Sequence, residues 1–222
     1  MRLERMPMLE TWLCILARDP AAAKTRLSGV LGQAARADLA IAMLEDVLAA
    51  ASEAAFARRL VVTESDLVSS LARSAGAESF YVRASGTNDA ASAAVREVVG
   101  EGAARVLLLA ADLPYLVASD LELLLAEGAS IVIAPDRHRR GTNALVLAPP
   151  SVIAPAFGAD SFSAHRESAR RVSIHARIAT SRGLATDIDD PEDLQLLRRE
   201  PGAGRQTIEL LNSAGFSAAS LR

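Results

Sequence analysis

Three aspartates follow apolar segments at places where a divalent cation could meet nucleotide phosphates. Asp112 comes directly after the apolar run "VLLLAA", and Asp187 and Asp189 flank Ile188 near the end of the chain. In an extended segment, residues two apart point to the same face, so Asp187 and Asp189 repel each other unless a cation lies between them. Carboxylate oxygens are the ligands that Mg²⁺ prefers. We therefore take the three aspartates as candidate Mg²⁺ ligands, with an ordinary turn residue as the alternative for Asp112.

The residue after this acidic pair has a structural interpretation. The segment "DPEDL" places Asp190 directly before Pro191, and two further acids follow within one turn. An aspartate at the N-cap, a proline at the first helical position and acids in the first turn are typical of a helix start. Asp190 is therefore predicted to begin a helix rather than to bind a metal ion.

A loop with three cations follows the first apolar segment. The stretch "ARDPAAAKTRL", residues 17–27, carries Arg18, Lys24 and Arg26 among small residues. Cations and free backbone N–H groups after a strand can hold a triphosphate, and a solvated basic loop is the alternative. The stretch has neither the G-x-x-x-x-G-K-[ST] pattern of a P-loop nor the G-x-G-x-x-G pattern of a dinucleotide site.

Two further polar segments open predicted helices. In "SGTN", residues 85–88, Asn88 or a backbone amide could bind the edge of a base, or Asn88 could be an ordinary capping residue. In "FGADSFSAHRESARR", Ser161 begins a helix whose first N–H groups could bind an anion. His165 lies one turn further on the same side, where it contacts a ligand or serves as a structural histidine. The sequence leaves both alternatives open.

The elements that must position these residues alternate along the chain. Apolar runs are predicted as strands at 11–17, 60–64, 80–84, 106–112, 131–136 and 144–148, and helical patterns lie at about 33–55, 65–75, 88–99, 119–127, 162–172 and 190–199. This alternation predicts an α/β fold with an open, mostly parallel sheet flanked by helices. Ligands bind at the carboxyl ends of the strands in such sheets, which is where the polar segments lie.

Length and composition restrict the class of protein. The 222 residues suit a single domain, which we place at 9–222 after a flexible N-terminus at 1–8. A net charge of −3 argues against nucleic acid as a partner. No run of eighteen apolar residues and no apolar signal segment is present, so we expect no membrane span and a cytoplasmic location. Cys14 is predicted to be a buried thiol, and His138 and His175 to be surface residues.

Five segments together resemble a known family. They are "AAAKTRL", "AADLPYL", "APDRHRRGTNALVLAPP", "FGADSFSAHRESA" and "LATDIDDPEDL". In this order they resemble the 2-phospho-L-lactate guanylyltransferase family of coenzyme F-420 biosynthesis, over about residues 11–197. The resemblance is most specific at Gly141-Thr142-Asn143 together with Phe157-Gly158, the Ser161-Phe162 pair that follows, and His165 three residues later.

The resemblance implies a nucleotidyltransferase fold like that of glycosyltransferase-A enzymes and a reaction that joins GTP to a small phosphorylated acid with release of pyrophosphate. The acceptor differs between branches and is 2-phospho-L-lactate, phosphoenolpyruvate or 3-phospho-D-glycerate. Members are often dimeric, which makes a homodimer possible here. By matching position, it implies roles for nine residues: Mg²⁺ ligands at Asp112, Asp187 and Asp189, acceptor contacts at Thr142, Gly158 and Ser161, triphosphate contacts at Lys24 and Arg26, and a base contact at Asn88.

Two positions depart from the family pattern. Arg18 stands where many relatives have lysine, and the fork of an arginine contacts an anion differently from the point charge of a lysine. The loop at Asn88 reads Gly-Thr-Asn where relatives often read Gly-Leu-Asn. The arginines at 137, 139 and 140 are expected near a doubly anionic acceptor, although not all three need to contact it and solvated side chains are the alternative for some of them. Gly141 is expected to allow close approach of the backbone, and Asn143 to hold the loop.

The chemistry implied needs no strong general base, because the acceptor phosphate is already an anion near neutral pH. An acceptor oxygen would attack the α-phosphorus of GTP, with Mg²⁺ and the cations of the first loop stabilising the leaving pyrophosphate. Two alternatives remain at this point. One is a related nucleotidyltransferase or small glycosyltransferase of the same fold, and the other is a non-catalytic nucleotide-binding protein.

Overall fold

The structure, a computed structural model, describes residues 11–126, 128–213 and 216. The predicted flexible segment at 1–8 lies outside the described residues. The chain has the predicted α/β architecture, with a mostly parallel sheet covered by helices on both faces. Among the described residues, no helix is both long and apolar enough to cross a lipid bilayer.

Seven strands form one sheet. They are β1 (Thr11–Leu16), β2 (Arg58–Thr63), β3 (Glu78–Tyr81), β4 (Arg105–Ala110), β5 (Ile131–Pro135), β6 (Thr142–Leu147) and β7 (Arg177–Ile178). Their spatial order is β3-β2-β1-β4-β6-β5-β7. All neighbouring pairs are parallel except those made by β6, which runs antiparallel to both β4 and β5.

The reversed direction of β6 explains the position of the Gly-Thr-Asn segment. A short turn joins β5 to β6, so the first residues of β6 lie beside the last residues of β5, with Pro135 opposite Thr142. The start of β6 therefore shares the edge of the sheet at which the parallel strands end. This edge is where ligands bind in open α/β sheets.

Eight α-helices are described. They are α1 (Gln33–Glu53), α2 (Asp66–Ser74), α3 (Thr87–Gly100), α4 (Ala118–Leu125), α5 (Ser161–Arg171), α6 (Arg182–Ala185), α7 (Pro191–Arg199) and α8 (Arg205–Leu211). The predicted start of α7 is confirmed: the Asp190 side chain accepts hydrogen bonds from the N–H groups of Glu192 and Asp193, with proline at the first position.

Alternate residues of β1 face two separate cores. Leu13 and Ile15 pack with α1, α2 and α4 on one face, whereas Trp12 and Cys14 pack with α3 and α5 on the other. This alternation follows from the two-residue period of a strand. Cys14 is completely buried, as predicted, and burial raises the pKa of its thiol to about 12, so it stays protonated and unreactive.

A third apolar cluster joins the segments that carry the charged residues. Leu27 of the first loop, Leu39 and Met43 of α1, and Ile188 and Leu194 of the acidic segment pack together there. Ile188 has no exposed surface, so its neighbours Asp187 and Asp189 are held in a fixed position by packing. The cluster therefore fixes the cationic loop relative to the acidic pair.

The structure differs from the prediction mainly at short or C-terminal elements. The third strand ends at Tyr81 rather than at residue 84, and β7, α6 and α8 were not predicted. β3 is only partly buried at the sheet edge, so its apolar signal is weak. Helix α8 is held by a distant contact, because Asp46 of α1 accepts hydrogen bonds from the N–H groups of Gln206 and Thr207.

Candidate active site

A cleft of about 940 Å³ lies at the edge where β1, β4 and β5 end and β6 begins. This volume is within the range of small-molecule sites. Nine of the candidate site residues named from the sequence line it: Arg18, Lys24, Arg26, Asp112, Thr142, Gly158, Ser161, Asp187 and Asp189. The fold therefore brings together polar residues from segments that are far apart in the chain.

Lys24 lies between two of the aspartates. Its ammonium group forms ion pairs with Asp112 and, at 3.1 Å, with Asp189. The Lys24 side chain is only 7% exposed. Burial alone would lower the pKa of Lys24, but the two carboxylates outweigh burial and raise it, so the side chain stays charged. The lining of the cleft thus contains a buried cation, Lys24, that is paired with two carboxylates, Asp112 and Asp189.

Asp187 is the most perturbed acid of the site. Burial, and then the charge of Asp112, raises the pKa of Asp187 to about 7, and Asp189 adds to this effect. A hydrogen bond from the Asn143 amide at 3.1 Å opposes the rise. Asn143 also donates to the Leu184 carbonyl at 3.0 Å, which confirms that it holds the loop in place. The three carboxylates thus lie close enough to repel each other.

We refer to Asp112, Asp187 and Asp189 as the acidic cluster. Carboxylate oxygens suit a hard divalent cation. In the described part of the chain, however, no group of three or more potential metal ligands is already arranged around one point. Two of the acids, Asp112 and Asp189, are instead paired with the Lys24 ammonium group, and Asp187 accepts a hydrogen bond from Asn143.

The other two cations of the first loop remain accessible. Arg26 is 72% exposed in its side chain and reaches Asp189 at 3.4 Å, a distance at which the pairing contributes little in water. Arg18 is exposed and lines both the main cleft and a small side cavity of about 40 Å³. These positions leave both guanidinium groups able to meet an anionic ligand.

The turn between β5 and β6 is organised by Asp136. Its carboxylate accepts hydrogen bonds from the N–H groups of Arg140 at 2.8 Å and Gly141 at 2.9 Å. A side chain at Gly141 would have its Cβ 3.0 Å from this carboxylate, which explains the glycine. Of the three arginines expected near the acceptor, only Arg140 is among the residues that line the cleft.

The other two arginines have different partners. Arg137 forms an ion pair with Asp193 of α7 at 2.5 Å, and Arg139 lies over the ring of Phe162 at 5.3 Å. The expectation that Arg137 and Arg139 face the acceptor therefore differs from the structure. The sequence could not show which of the three arginines faces the cleft, because the partners of Arg137 and Arg139 lie on helices that are distant in the chain.

The start of α5 also differs in detail from the prediction. Asp160, not Ser161, occupies the N-cap position, and Ser161 is the first helical residue. The N–H groups of Ser161 and Phe162 already donate to the carbonyls of Gly158 and Arg140. The buried Ser161 hydroxyl, in contrast, has no hydrogen-bond partner among the described residues. An anion at this end of α5 would therefore meet the hydroxyl rather than those two amides.

His165 is a satisfied buried histidine and does not line the cleft. Its Nδ1 lies 3.0 Å from the Thr142 hydroxyl oxygen, and its Nε2 accepts a hydrogen bond from the Ala156 N–H at 2.9 Å. Burial lowers the pKa of His165 to about 4, so the ring is neutral near pH 7. Of the two alternatives left open by the sequence, His165 is therefore a structural histidine rather than a ligand contact. It contacts Thr142, which does line the cleft.

Asn88 makes a two-way contact with the backbone of Phe157. Its amide donates to the Phe157 carbonyl at 2.8 Å and accepts from the Phe157 N–H at 2.5 Å. Its neighbour Thr87, rather than Asn88, is among the residues lining the cleft and the side cavity. A base contact by Asn88 stays a prediction, and it would require opening of this pair.

Two residues at the site were missed from the sequence. Asp136 was treated only as the end of a strand, although aspartate before a turn is typical of side-chain bonding to the turn backbone. Glu64 lines the side cavity at the end of β2, and a carboxylate directly after the apolar run "LVVT" was the available signal. Each lies at the carboxyl end of a strand, where the other candidates were found.

Several solved structures share this fold. A structure from Desulfovibrio desulfuricans, named as a nucleotide-diphospho-sugar transferase, superposes with a TM-score of 0.73 at 18% identity, covering 94% of this chain and 93% of that chain. A manganese complex from Mycobacterium tuberculosis superposes with a TM-score of 0.52 at 15% identity, covering 84% of this chain and 96% of the other. These similarities show the fold.

Closer relatives are found by sequence. A phosphoenolpyruvate guanylyltransferase of Rubrobacter xylanophilus is 36% identical over 197 residues, which is 87% of this chain and 96% of the relative. A 3-phospho-D-glycerate guanylyltransferase of Phenylobacterium zucineum is 35% identical over 205 residues, 89% of this chain and 94% of the relative.

A 2-phospho-L-lactate guanylyltransferase of Methanoculleus marisnigri is 32% identical over 205 residues, which is 90% of this chain and 87% of the relative. The model of one protein family matches residues 13–221, nearly the whole chain, and includes every candidate site residue. The chain therefore belongs to the family described as guanylyl transferase CofC like.

Proposed function

We propose that this protein is a guanylyltransferase that joins GTP to a small phosphorylated carboxylic acid and releases pyrophosphate, in coenzyme F-420 biosynthesis. The observation that carries the proposal is a single cleft lined by two unlike groups of residues. One group is the first loop with the acidic cluster, and the other, which we call the acceptor wall, is formed by Thr142, Gly158 and Ser161. Membership of the family supports guanylyl as the transferred group. The names of the relatives support a phosphorylated acid as the acceptor.

The acceptor wall suits a small anion. The Thr142 and Ser161 hydroxyls, the Arg140 side chain and the open backbone at Gly158 surround this part of the cleft. The three acceptors named for the relatives all carry a phosphate and a carboxylate. Hydroxyl and guanidinium groups donate to both of these groups. The proposal therefore places the acceptor here, with its phosphate directed towards the first loop.

The reaction consists of one displacement at phosphorus. An acceptor phosphate oxygen forms a bond to the α-phosphorus of GTP, and the bond from this phosphorus to the oxygen that bridges to the β-phosphate breaks. Pyrophosphate leaves with the electron pair of that bond. Lys24 and Arg26 would stabilise the charge that develops on the β- and γ-phosphates, and Arg18 would contact the triphosphate beside them. Catalysis then depends on positioning and electrostatics.

The acidic cluster fits a divalent cation by its chemistry. Its ligands are all oxygens. The pKa of Asp187 is raised first by burial and then by the charges of Asp112 and Asp189, and a cation would relieve the repulsion among these charges. We propose Asp112, Asp187 and Asp189 as the ligands of Mg²⁺. When bound, the ion would neutralise charge on the α-phosphate and the leaving pyrophosphate. The manganese complex of the related fold is consistent with a divalent ion.

Our candidate for the guanine site is the side cavity together with the part of the main cleft that shares Arg18 and Thr87 with it, because about 40 Å³ alone is too small for a purine. The side cavity lies at the ends of β2 and β3 and connects to the first loop through Arg18. A carboxylate such as that of Glu64 can accept hydrogen bonds from the two adjacent donors on the guanine edge, N1–H and N2–H. Adenine offers an acceptor beside its one donor there. We expect Glu64→Gln to reduce the preference for GTP over ATP, measured by competition between both nucleotides in one reaction.

Three further points belong to the proposal. The protein is expected to work in the cytoplasm, to form a homodimer as members of its family often do, and to consist of a single domain over 9–222. Size measurement in solution and limited proteolysis test the last two.

One experiment tests the proposed function. The purified protein is incubated with GTP, ATP or CTP and each of the three acceptors, with Mg²⁺ or with EDTA, and products are identified by mass spectrometry. We expect one acceptor to give a guanylylated product and pyrophosphate, in the presence of Mg²⁺ only. Transfer of another nucleotide, or product with a sugar phosphate instead, would favour a different transferase of this fold. Binding of GTP without any product would indicate a non-catalytic protein.

A further inference from the structure

The imidazole of His165 connects two parts of the acceptor wall. It packs without exposed surface between the start of β6 and the 154–160 loop that precedes α5. One ring nitrogen contacts the Thr142 hydroxyl and the other contacts the backbone of Ala156. The Phe157 ring meets the imidazole edge-on, with 5.4 Å between ring centroids. The position of this ring is therefore fixed from three sides.

The contact with Ala156 determines where the proton of the imidazole lies. A backbone N–H can only donate, so Nε2 of His165 must present a lone pair. A neutral imidazole carries its single proton on the other nitrogen, so Nδ1–H donates to the Thr142 hydroxyl oxygen. A charged ring would place a second donor against the Ala156 N–H. His165 in this packing is therefore neutral, and it is neither a general acid nor a general base.

This proton arrangement restricts the Thr142 hydroxyl. One of its lone pairs is occupied by Nδ1–H, and its own proton remains to be donated. Thr142 lines the cleft, and among the hydrogen bonds of the described residues its side chain has His165 as its only partner. The hydroxyl is thus prepared to donate into the cleft. A ligand that accepts hydrogen bonds, such as a phosphate or carboxylate, matches it.

We infer that His165 is a positioning residue that makes Thr142 a hydrogen-bond donor to the anionic acceptor. The inference rests on the proposed function, because it assumes that the acceptor binds beside Thr142. His165 does not touch the acceptor, and it acts by directing the proton of another side chain. It differs in this from Ser161, which lines the cleft itself.

A double-mutant cycle tests this role. Thr142→Val removes the hydroxyl at nearly constant shape, and His165→Gln keeps an acceptor for Ala156 but removes the donor to Thr142. We expect each variant to raise the acceptor KM by about 10- to 100-fold, the usual effect of losing a hydrogen bond to a charged group. The KM for GTP should stay within about twofold, and the double variant should be no worse than either single variant. Thr142→Ser, which retains the hydroxyl, should recover most of the loss.

The outcomes separate positioning from general structural support. Multiplied effects in the double variant would mean that His165 acts independently of Thr142 and would overturn the inference. So would an unchanged acceptor KM in either single variant. If His165→Gln does not fold, His165→Asn replaces it; this variant keeps a donor at the Nδ1 position and should lie closer to the wild type than Thr142→Val. His175→Gln, at an exposed histidine, is the matched control.

The protonation state can be measured without any assay of activity. Long-range ¹H–¹⁵N correlation spectra of the protein with ¹⁵N-labelled histidine report which ring nitrogen carries the proton. We expect a neutral His165 ring protonated on Nδ1 at pH 7. A proton on Nε2 would overturn the inference even if guanylyl transfer is confirmed. An Nδ1 proton in a protein that transfers no guanylyl group would instead locate the failure in the proposed function.

Discussion

The buried histidine predicts a specific loss of stability in acid. Burial lowers the pKa of His165 from 6.5 to about 4, because the ring is removed from water and the charged form loses its hydration. The unfolded chain takes up a proton as the pH falls through about 6.5, whereas the native protein resists until about 4. The stabilising contribution is therefore complete above pH 6.5 and is lost as the pH falls towards 4.

The magnitude follows from the shift in pKa. Each unit of difference between the native and unfolded states corresponds to about 1.4 kcal/mol, so the step from 6.5 to 4 amounts to about 3 kcal/mol. Because the side chain has no exposed surface, solvent does not screen this effect. A loss of this size is a large fraction of the usual free energy of unfolding of a single domain.

Urea titrations at several pH values between 4 and 7.5 measure this effect. Carboxylates also titrate in this range, so the informative quantity is the difference in unfolding free energy between the wild type and His165→Gln. We expect this difference to shrink by about 3 kcal/mol on going from pH 7 to pH 4, since the variant has no imidazole to protonate. His175→Gln, which removes an exposed imidazole, should track the wild type. Parallel curves for the wild type and His165→Gln would refute the reasoning.

Further predictions concern the metal site, the acceptor and the fold. Asp112→Asn should lower kcat at least about a hundredfold, because the lost charge acts on the transition state. A thermal melt must confirm folding, since the variant leaves the buried Lys24 with Asp189 as its remaining ion-pair partner; turnover like that of the wild type in the folded variant would remove Asp112 from the mechanism. Gly158→Val should raise the acceptor KM at least about tenfold and leave GTP affinity, measured by calorimetry with Mg²⁺, within a few-fold; Gly158 has φ of +124°, so a thermal melt must confirm folding. Gly183→Ala should destabilise the protein by about 1–3 kcal/mol, since its Cβ would lie 2.8 Å from the Tyr115 carbonyl oxygen, whereas Gly29→Ala meets nothing within 4 Å and is the matched control in urea unfolding.

Much of the fold could be predicted because its signals are local. Apolar runs gave the strands, helical periodicity gave the long helices, and the segment around Asp190 gave the start of α7. Short elements such as β7 and α6 have too few residues for a periodic signal. Helix α8 is fixed by a contact from Asp46, about 160 residues earlier in the chain. A contact of this kind leaves no local pattern in either segment.

In the candidate site, too, local signals identified the residues but not their contacts. The sequence singled out the residues of the acidic cluster and the first loop, because charged residues directly after buried strands are unusual and the ligand edge of the sheet is known. It could not show that Lys24 lies between Asp112 and Asp189, or that Asn88 binds the backbone of Phe157. These pairs join segments 69 to 165 residues apart.

By itself, the sequence determined which residue types stand at the ends of which strands, and with them the class of fold and the chemistry of the site. Only the tertiary structure decided how these residues are paired. The antiparallel direction of β6 brings Thr142 to the ligand edge, and the packing of α5 against it places His165 on the Thr142 hydroxyl. The physical reason is that strand direction and helix packing are set by the burial of the whole core, whereas the direction of a proton depends on single contacts a few ångströms long.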